Sequence, residues 1–409
     1  MTQPNDLADG ARVGPRREHV SWDAARRVAH LVARPQPAVS RALADAAGCV
    51  LASPLVSPAA VPPVDRSAMD GYAVRGAGPW RVIGHVAVDC AESVELADGQ
   101  ACSITTGAAV PAGATSVVRD EDIELDGSWV RGPSEPGKHI RRAGEECQAG
   151  EVVLPAGIVV DGPVLGLAAS LGLNRLTVIP QPVVAALITG NELVHQGPSG
   201  PGRVRDAIGP MLPTLITQAG AHPGPILHLP DTREALLEAL QNQHSTGASH
   251  LILVSGSSAA GPADHLRAVL AEVGAELVVD GVDCRPGHPQ ALARLGDGRL
   301  VVGLPGNPFA ALSAFLTLGV AAIDRLRGLP LQTLPIAPIP GGVACHPHST
   351  RLVPVRVTGQ GAVPVGHGGS AMLRGAAGAD ALAVVDPGPA EAIAARLLPL
   401  DPGVRPWGG

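Results

Sequence analysis

The feature that most restricts the fold of this chain is a regular alternation of apolar runs and helical stretches between residues 183 and 328. Three apolar runs have the length of buried strands, at residues 183–188, 251–254 and 300–304. Apolar residues at helical spacing fill the intervals, at residues 210–220, 232–243, 262–274 and 309–326. Strands that alternate with helices form a parallel sheet with helices on its faces. We therefore predict a doubly wound parallel-sheet α/β domain.

Each predicted strand is followed by a glycine-containing turn, at residues 189–192 (TGNE), 255–258 (SGSS) and 305–308 (PGNP). Ligands of such sheets bind outside the carboxyl ends of the strands, so the three turns are expected to face one crevice. In the last turn Gly306 permits a tight bend, Asn307 can cap a helix and Pro308 suits its first position. Bare N–H groups at that helix start would hold an anion. A plain helix start is the alternative.

The rest of the 409 residues divides by composition. Residues 55–147 are rich in Val, Gly and Pro and contain short alternating segments, which predicts an inserted β domain II. Residues 18–54 and 148–182 flank it and form a helical linker domain I, with two helices around the break at residues 35–37 and a third near residues 162–172. Residues 183–328 form the α/β domain III. Residues 329–409 follow a proline-rich linker and predict a small C-terminal β domain IV.

Composition narrows the class of protein. The net charge is -7 and the basic residues are dispersed, which argues against nucleic acid as a partner. No apolar stretch reaches the roughly 20 residues of a membrane span, and the N-terminus lacks the apolar core of a signal peptide, so we expect a cytoplasmic protein. The six cysteines form no metal-type pair and are expected to be reduced structural thiols. Lys138 is the only lysine, so anion sites must use arginine, histidine or backbone N–H groups.

The most distinctive local pattern is residues 63–74 (PVDRSAMDGYAV), at the start of the predicted β domain. Two carboxylates, a hydroxyl and the only tyrosine of the chain lie within eight residues, at Asp65, Ser67, Asp70 and Tyr72. A local interpretation is a turn in which Asp and Ser accept hydrogen bonds from nearby backbone N–H groups.

This segment resembles the P-x-x-D-x-S-A-M-D-G-Y-A-V signature of the molybdopterin molybdenumtransferase family, which includes the MoeA proteins and the E domain of gephyrin. The resemblance continues in order through residues 104–108 (ITTGA), 141–150 (RRAGEECQAG), 189–193 (TGNEL), 303–308 (GLPGNP) and 366–370 (GHGGS). It covers the chain from about Trp22 onward.

The resemblance implies a transferase that inserts molybdate into adenylylated molybdopterin, with magnesium-dependent release of AMP, to give the molybdenum cofactor. It also implies an elongated homodimer of four-domain subunits, in which domain III has a molybdopterin-binding type of fold and the last domain is barrel-like. The active site would lie in a cleft between domain III of one subunit and the β domain II of the other. The adenylyltransferase that supplies the substrate and the molybdoenzyme apoproteins that receive the cofactor are the implied protein partners.

By position, the family's acidic cleft residues and magnesium ligands are Asp65, Glu146, Glu192, Asp231 and Asp264, and all of these except Glu146 are the expected catalytic residues. Carboxylates suit this task because a cation that bridges phosphate oxygens prefers hard oxygen ligands. Two of them have local explanations as well. Asp231 opens a capping box, and Asp264 would lie in the first turn of a helix, where a carboxylate suits the dipole. Glu146 replaces the family's aspartate.

The family's molybdate pocket corresponds to Arg285, His288, Arg356 and Ser370. Residues 284–289 (CRPGHP) match a K-P-G-K-P segment, so Arg285 and His288 stand where relatives have lysine. An imidazole is only partly cationic at neutral pH, which predicts weaker and more pH-dependent molybdate capture. The expected substrate-binding residues are Ser67, Asp70, Thr106, Gly256, Pro286, Gly287, Pro305, Gly306 and Asn307.

Several positions depart from the family pattern. Ser257 and Ala259 replace a glycine and a serine, Ile208 replaces the asparagine of a D-x-N motif, and Asn191 replaces the aspartate of T-G-D-E. These departures leave open a catalytically impaired paralogue that binds pterin or a partner as a scaffold. A molybdopterin adenylyltransferase is a third alternative, because domain III resembles that fold. The intact segment 65–74 and the β domains argue against it.

Overall fold

The structure is a computed structural model that describes residues 20–89, 94–242, 246–256, 265–366 and 369–403. The chain forms two compact units. The α/β unit consists of Met1–Pro37 and Ile179–Gly409, and the inserted unit consists of Ala38–Val178.

The α/β unit contains the predicted doubly wound sheet. Its six strands lie in the order His222–Leu229, Val183–Thr189, Leu251–Ser255, Leu300–Leu304, Ala291–Arg294 and Glu276–Asp280. The first four are parallel to one another. Ala291–Arg294 is antiparallel to Leu300–Leu304, and Glu276–Asp280 is antiparallel to Ala291–Arg294. The fold class is confirmed, with one refinement: the sheet is mixed rather than wholly parallel.

Helices cover both faces of this sheet. Ile208–Gln218 and the long helix Pro308–Leu326 pack on one face, together with Trp22–Val32. Arg233–Gln241 and His265–Glu272 pack on the other. Successive strand residues alternate between the two cores: Ala186 and Ile188 belong to the first and Leu187 to the second. Apolar residues at every strand position are therefore buried by one layer or the other.

The helix Pro308–Leu326 is long and apolar enough to cross a membrane by length and composition alone, yet 94% of its most apolar window is buried inside the protein. It contains a π-helical segment, Phe315–Gly319, between Pro308–Ala314 and Val320–Leu326. Phe309 and Phe315 are fully buried beneath the sheet. The helix is the central element of the core.

A second sheet completes the α/β unit. Its seven strands are Val20–Ser21, Val282–Arg285, Thr350–Thr358, Ala381–Val385, Glu391–Pro399 and Ile336–Ala344 in that order, with Gly361–Pro364 paired to Thr350–Thr358. A short helix, Leu373–Ala377, follows the loop that contains Ser370. The predicted C-terminal β domain is present. Its sheet also contains two strands from earlier in the chain, Val20–Ser21 and Val282–Arg285.

The inserted unit is mainly β. Its six-stranded sheet has the order Glu124–Asp126, Trp129–Arg131, Trp80–Val86, Gln100–Ile104, Gly71–Val74 and Ser116–Arg119. Two small sheets pair Arg66–Ser67 with Ile140–Arg141 and Leu55–Val56 with Val152–Leu154. A third has Arg175–Ile179 as its central strand, between Val39–Ala42 and Val50–Leu51. The helix Gly162–Ser170 is present as predicted, capped by Asp161. The four domain boundaries given above stay predictions.

One predicted element is wrong. Trp22–Val32 forms the first of the two expected helices, but the segment after the prolines forms the strand Val39–Ala42 and a 3-10 turn, Leu43–Asp45. The strand pairs with Arg175–Ile179, from Val39 opposite Val178 to Ala42 opposite Arg175. A partner far along the chain therefore decides its conformation.

Candidate functional site

The turns that follow three parallel strands lie side by side in the α/β unit. Ile188 pairs with Ser255, and Ser255 pairs with Leu304, so the three strands end at the same edge of the sheet. The hydroxyl Oγ1 of Thr189 donates a hydrogen bond to the carbonyl oxygen of Ser255, at 3.0 Å. Gly256 has φ of +98°, and a Cβ on it would lie 2.6 Å from Oγ1 of Thr189. Glycine is thus required for the close approach of two of these turns.

Two of the predicted catalytic carboxylates lie in neighbouring turns at this edge. Glu192 follows the strand Val183–Thr189 and has an exposed side chain. Asp231 follows the adjacent strand His222–Leu229, and its backbone N–H donates to Oδ1 of Asn191 at 3.1 Å. This bond joins the two turns.

The capping interpretation of Asp231 is wrong. The N-cap of Arg233–Gln241 is Thr232, whose Oγ1 accepts from the N–H of Ala235 at 3.3 Å. Helix capping therefore does not account for the Asp231 carboxylate. The third predicted carboxylate of this unit, Asp264, lies outside the described residues, as do Ser257 and Ala259.

A cavity of about 520 Å³ lies between the start of the helix Pro308–Leu326 and the C-terminal sheet. Arg285, His288 and Ser370 all line it, as do Pro286, Gly287, Pro305 and Asn307. The N–H of Ala310 donates to the carbonyl oxygen of Ser370 at 3.0 Å, which ties the Ser370 loop to the helix start. Seven residues that the sequence assigned to molybdate or substrate binding thus surround one cavity.

Arg356 is the exception among the predicted molybdate ligands. Among the residues that the structure describes, Arg356 is not one of those that line the cavity. Its Nη2 donates to the carbonyl oxygen of Gly378 at 2.9 Å. Its role in binding stays a prediction.

The buried side-chain amide of Gln290 stabilises the loop that contains Arg285. Nε2 of Gln290 donates to the carbonyl oxygen of Gly287 at 2.9 Å and to Sγ of Cys284 at 3.2 Å. Burial raises the pKa of the Cys284 thiol to about 12, so this cysteine stays protonated and has a structural role. Free thiols are also found at Cys49, Cys102, Cys147 and Cys345, whereas Cys90 is outside the described residues.

His288 has a defined tautomer. Its Nδ1 lies 2.9 Å from the carbonyl oxygen of Val282, and a carbonyl can only accept a hydrogen bond. Nδ1 must therefore carry a proton, so Nε2 of the neutral ring is an acceptor and becomes a donor only when the ring is protonated. A neutral His288 cannot donate from Nε2 to an oxyanion.

Sequence reasoning missed two of the polar residues that line the cavity, Arg351 and His346. Arg351 lies opposite Arg285 in the parallel pair of strands formed by Val282–Arg285 and Thr350–Thr358. Desolvation, followed by the positive charges of Arg285 and Arg351, lowers the pKa of His346. The strand pairing places Arg351 beside Arg285, although the two are more than sixty residues apart in sequence, and makes the cavity electropositive. No local sequence pattern predicts this.

The motif 63–74 lies in the inserted unit, where Asp65 is held by two hydrogen bonds. Oδ1 accepts from the N–H of Ala143 at 2.8 Å, and Oδ2 accepts from Nη1 of Arg142 at 2.6 Å. The Ala143 bond, followed by those to Arg142, lowers the pKa of Asp65 despite partial burial. The carboxylate is therefore ionised at neutral pH. The exposed Glu146 lies in the same loop, and its N–H donates to the carbonyl oxygen of Val61 at 3.0 Å.

Other motif residues bind the loop to itself. Ser67 is fully buried, and its Oγ donates to the carbonyl oxygen of Met69 at 2.6 Å, which fits the local interpretation of this serine. Oδ1 of Asp70 accepts from the N–H of Thr106 at 2.7 Å. The motif and residues 104–108 thus form one surface of the inserted unit. Substrate binding by Ser67, Asp70 and Thr106 stays a prediction.

Comparison with known families identifies three matching regions. Residues 20–172 match the MoeA N-terminal region (domain I and II), residues 185–325 a probable molybdopterin binding domain, and residues 337–394 the MoeA C-terminal region (domain IV). Together they span most of the chain.

Individual relatives with similar sequences or structures belong to the same family. A protein named molybdopterin molybdenumtransferase 2 from Mycobacterium tuberculosis H37Rv is 37% identical over 308 residues, which cover 70% of this chain and 75% of the relative. A molybdopterin molybdenumtransferase from Staphylococcus aureus N315 is 28% identical over 305 residues, covering 71% and 72% of the two chains. A molybdopterin biosynthesis MoeA protein of Pyrococcus horikoshii superposes with a TM-score of 0.74 at 25% identity, over 94% of this chain and 99% of that one. The chain therefore belongs to the MoeA family of molybdopterin molybdenumtransferases.

Proposed function

We propose that this enzyme inserts molybdate into adenylylated molybdopterin and releases AMP to give the molybdenum cofactor. The observation that carries the proposal is the cavity at the start of Pro308–Leu326, where Arg285, His288 and Ser370 meet. A compact oxyanion requires fixed donors and positive charge, and the residues that line this cavity supply both.

Molybdate is a tetrahedral dianion, and the cavity offers three kinds of group for it. Arg285 and Arg351 supply guanidinium donors on neighbouring strands. Ser370 supplies a hydroxyl, and the turn at Asn307 precedes a helix start, where the dipole favours an anion. A volume of about 520 Å³ leaves room for part of a larger substrate beside the anion.

The donors at the neighbouring turns fit magnesium. Glu192 and Asp231 follow adjacent parallel strands and offer hard carboxylate oxygens, which this cation prefers. When bound, magnesium would neutralise charge on the phosphate oxygens of the anhydride that is cleaved. Both turns lie at the same edge of the sheet as the turn that precedes Pro308, which supports their assignment to one site. Asp65, Glu146 and Asp264 are further proposed ligands.

We also propose a cytoplasmic homodimer in which the inserted unit of one subunit completes the cleft of the other. The family resemblance and the motif surface with Asp65, Asp70 and Thr106 support this arrangement. The adenylyltransferase that makes the substrate and the apoproteins that receive the product are the proposed partners. A single-chain mass in solution at micromolar concentration would contradict the dimer.

The proposed reaction is tested with the variant Glu192→Gln. Purified protein receives adenylylated molybdopterin, magnesium and molybdate, and AMP release is measured together with formation of active cofactor. We expect Glu192→Gln to lose AMP release by at least about 100-fold, because a neutral amide is a poor magnesium ligand. Its melting temperature should stay near that of the parent, since exposed isosteric changes cost about 0.5 kcal/mol or less.

The matched control is Glu238→Gln, an exposed glutamate on the helix Arg233–Gln241, which should keep full activity. Normal turnover by Glu192→Gln would remove this residue from the mechanism. A parent protein that binds the pterin without releasing AMP would support the scaffold alternative. Consumption of ATP on free molybdopterin would support the adenylyltransferase alternative.

A further inference from the structure

Two histidines and an aspartate that the proposed reaction does not use lie together in the α/β unit. Nε2 of His228 lies 2.9 Å from Oδ2 of Asp206, and Nδ1 of His195 lies 3.9 Å from the same oxygen. The two imidazole centroids are 3.9 Å apart. One ligand atom from each residue falls within 4.8 Å of the others. We propose that His195, Asp206 and His228 bind a borderline divalent transition metal, with Zn²⁺ as the reference ion.

The fold brings the three residues together from separate segments. Leu193–Val194 and Val204–Arg205 pair in parallel, with Val194 opposite Arg205, so the next residues, His195 and Asp206, emerge side by side. His228 lies in the edge strand of the main sheet, opposite Ile188. Backbone pairing therefore determines the cluster before any metal binds.

Asp206 is oriented like a ligand. Its side chain is only 4% exposed, and Oδ1 accepts from the N–H groups of Ile208 and Gly209, both at 2.9 Å. Burial raises the pKa of Asp206, but the hydrogen bonds from Gly209, His228 and Ile208 outweigh it and the net pKa lies below the ordinary value. The anionic carboxylate is thus fixed by the start of Ile208–Gln218, with Oδ2 turned towards the imidazoles.

Gly209 leaves room beside this oxygen. A Cβ on Gly209 would lie 2.3 Å from Oδ2 of Asp206 and 3.2 Å from Nε2 of His228. Any side chain at this position would displace the carboxylate from the cluster. The space next to the three donors depends on a residue without a side chain.

The distances suit a tetrahedral ion. Bonds of about 2.1 Å place neighbouring donors about 3.4 Å apart. The His228–Asp206 separation of 2.9 Å must open slightly and the His195–Asp206 separation of 3.9 Å must close slightly. Both imidazoles can turn, because their side chains are 39% and 50% exposed. Water would occupy the fourth position, as in other sites with two histidines and one carboxylate.

The donor set separates this site from the magnesium ligands. Imidazole nitrogens favour Zn²⁺, Ni²⁺ and Co²⁺, whereas magnesium prefers oxygen and keeps its water. His195 and His228 each lie three residues from a proposed magnesium ligand, Glu192 and Asp231 respectively. A transition metal here would be held next to the acidic pair by different side chains.

The test is a titration of untagged, metal-free full-length protein with Co²⁺, followed by visible absorption, and with Zn²⁺, followed by calorimetry. We expect one ion per chain with intense Co²⁺ bands of low coordination number, abolished by Zn²⁺ and unaffected by excess Mg²⁺. His195→Gln and Asp206→Asn should each weaken Zn²⁺ binding by at least about 10-fold, a loss that even outer-shell partners can cause. Asp206→Asn keeps an oxygen acceptor for the helix N–H groups, so the fold should be retained.

Two further variants make the result specific. Gly209→Ala keeps all three ligands but fills the adjacent space, and it should also weaken binding. His222→Gln removes an exposed histidine from the same edge strand and should bind Zn²⁺ like the parent. Equal affinity of the parent and His195→Gln, or no binding by the parent, would overturn the proposal. Neither result depends on AMP release, so the metal site and the proposed reaction fail separately.

Discussion

At the scale of single residues, His288 is the substitution with the clearest chemical consequence. A lysine at this position would offer its ammonium group at every physiological pH, because a lysine side chain stays protonated there. In His288, the Nδ1–H group donates to the carbonyl oxygen of Val282. Nε2 can therefore donate to an oxyanion only when the ring is cationic. With a neutral His288, the charged donors of the cavity are therefore those of its arginines.

We predict that His288→Lys strengthens molybdate binding by about 10-fold, the equivalent of one charge-assisted hydrogen bond. The reason is that a lysine ammonium group is a charged donor, whereas Nε2 of the neutral His288 ring is an acceptor. The measurement is molybdate binding by calorimetry.

The control for this experiment is His222→Lys, which adds the same charge on an exposed strand position outside the cavity. It should leave the affinity for molybdate unchanged. Equal affinities of the parent and His288→Lys would show that the side chain at this position does not contact molybdate.

The contacts in the structure decide between the local and the functional explanations of two residues, Asp231 and Ser67. Asp231 had a local explanation as a helix cap, and Thr232 performs that task instead. Ser67 had a local explanation as a turn residue, and its hydroxyl is indeed bonded to Met69. Sequence shows which groups can form a hydrogen bond, but the partner is chosen by the backbone path.

At the scale of elements, the edge strand His222–Leu229 shows the limit of periodicity. Its prolines, Pro223 and Pro225, argue against a central strand, and no apolar run predicts a strand there. The structure places it at the edge of the sheet, beside Val183–Thr189, where one side needs no ladder of hydrogen bonds. Proline is tolerated there for that reason.

The buried helix Pro308–Leu326 is joined to Trp22–Val32 by a polar contact. Nε1 of Trp22 donates to Oγ1 of Thr317 at 2.9 Å, and Oγ1 of Thr317 donates to the carbonyl oxygen of Ser313 at 2.7 Å. Trp22 and Thr317 are both almost completely buried. The indole N–H therefore depends on one hydroxyl inside the core.

We predict that Thr317→Val lowers the free energy of unfolding by about 1–3 kcal/mol, because it leaves the buried indole N–H without an acceptor. Urea-induced unfolding of parent and variant measures the difference. Thr217→Val is the matched control: Oγ1 of Thr217 also donates to the carbonyl oxygen four residues earlier, but the residue is exposed. Its cost should stay within about 0.5 kcal/mol. Equal losses in both variants would refute the role given to the Trp22 contact.

At the scale of the whole molecule, the inserted unit begins and ends on neighbouring strands. Val39 lies opposite Val178, and Nε of Arg175 donates to Oγ of Ser40 at 2.9 Å. The unit also has hydrophobic cores of its own, built between Leu43 and Val178. A segment with adjacent ends and its own cores has the properties of an autonomous domain.

We predict that Ala38–Val178, produced alone, folds into a cooperative β-rich domain. Far-ultraviolet circular dichroism should show the strands, and thermal unfolding should give a single sharp transition. The same fragment carrying Arg175→Glu, which places a carboxylate against the Ser40 carbonyl oxygen, should melt at a lower temperature. A fragment with the spectrum of an unfolded chain would contradict the autonomy of this unit.

Much of the candidate site was predictable because its residues belong to short segments with fixed chemistry. Residues 284–289 and 305–308 each form a local turn, and such turns bring Arg285, His288 and Asn307 to the end of a strand or the start of a helix. Arg351 and His346 were not predictable, because they reach the cavity only through the pairing of Val282–Arg285 with Thr350–Thr358. The cluster of His195, Asp206 and His228 has the same origin.

The sequence alone determined the strand and helix alternation of the main sheet, the β character of the insertion and the family, since periodicity and motif order are properties of neighbouring residues. Tertiary structure alone decided that Val39–Ala42 is a strand and that Val282–Arg285 joins the C-terminal sheet. It also decided which polar groups face the cavity. The physical reason is that a strand satisfies its backbone hydrogen bonds with a distant partner, whereas a helix satisfies them within its own segment.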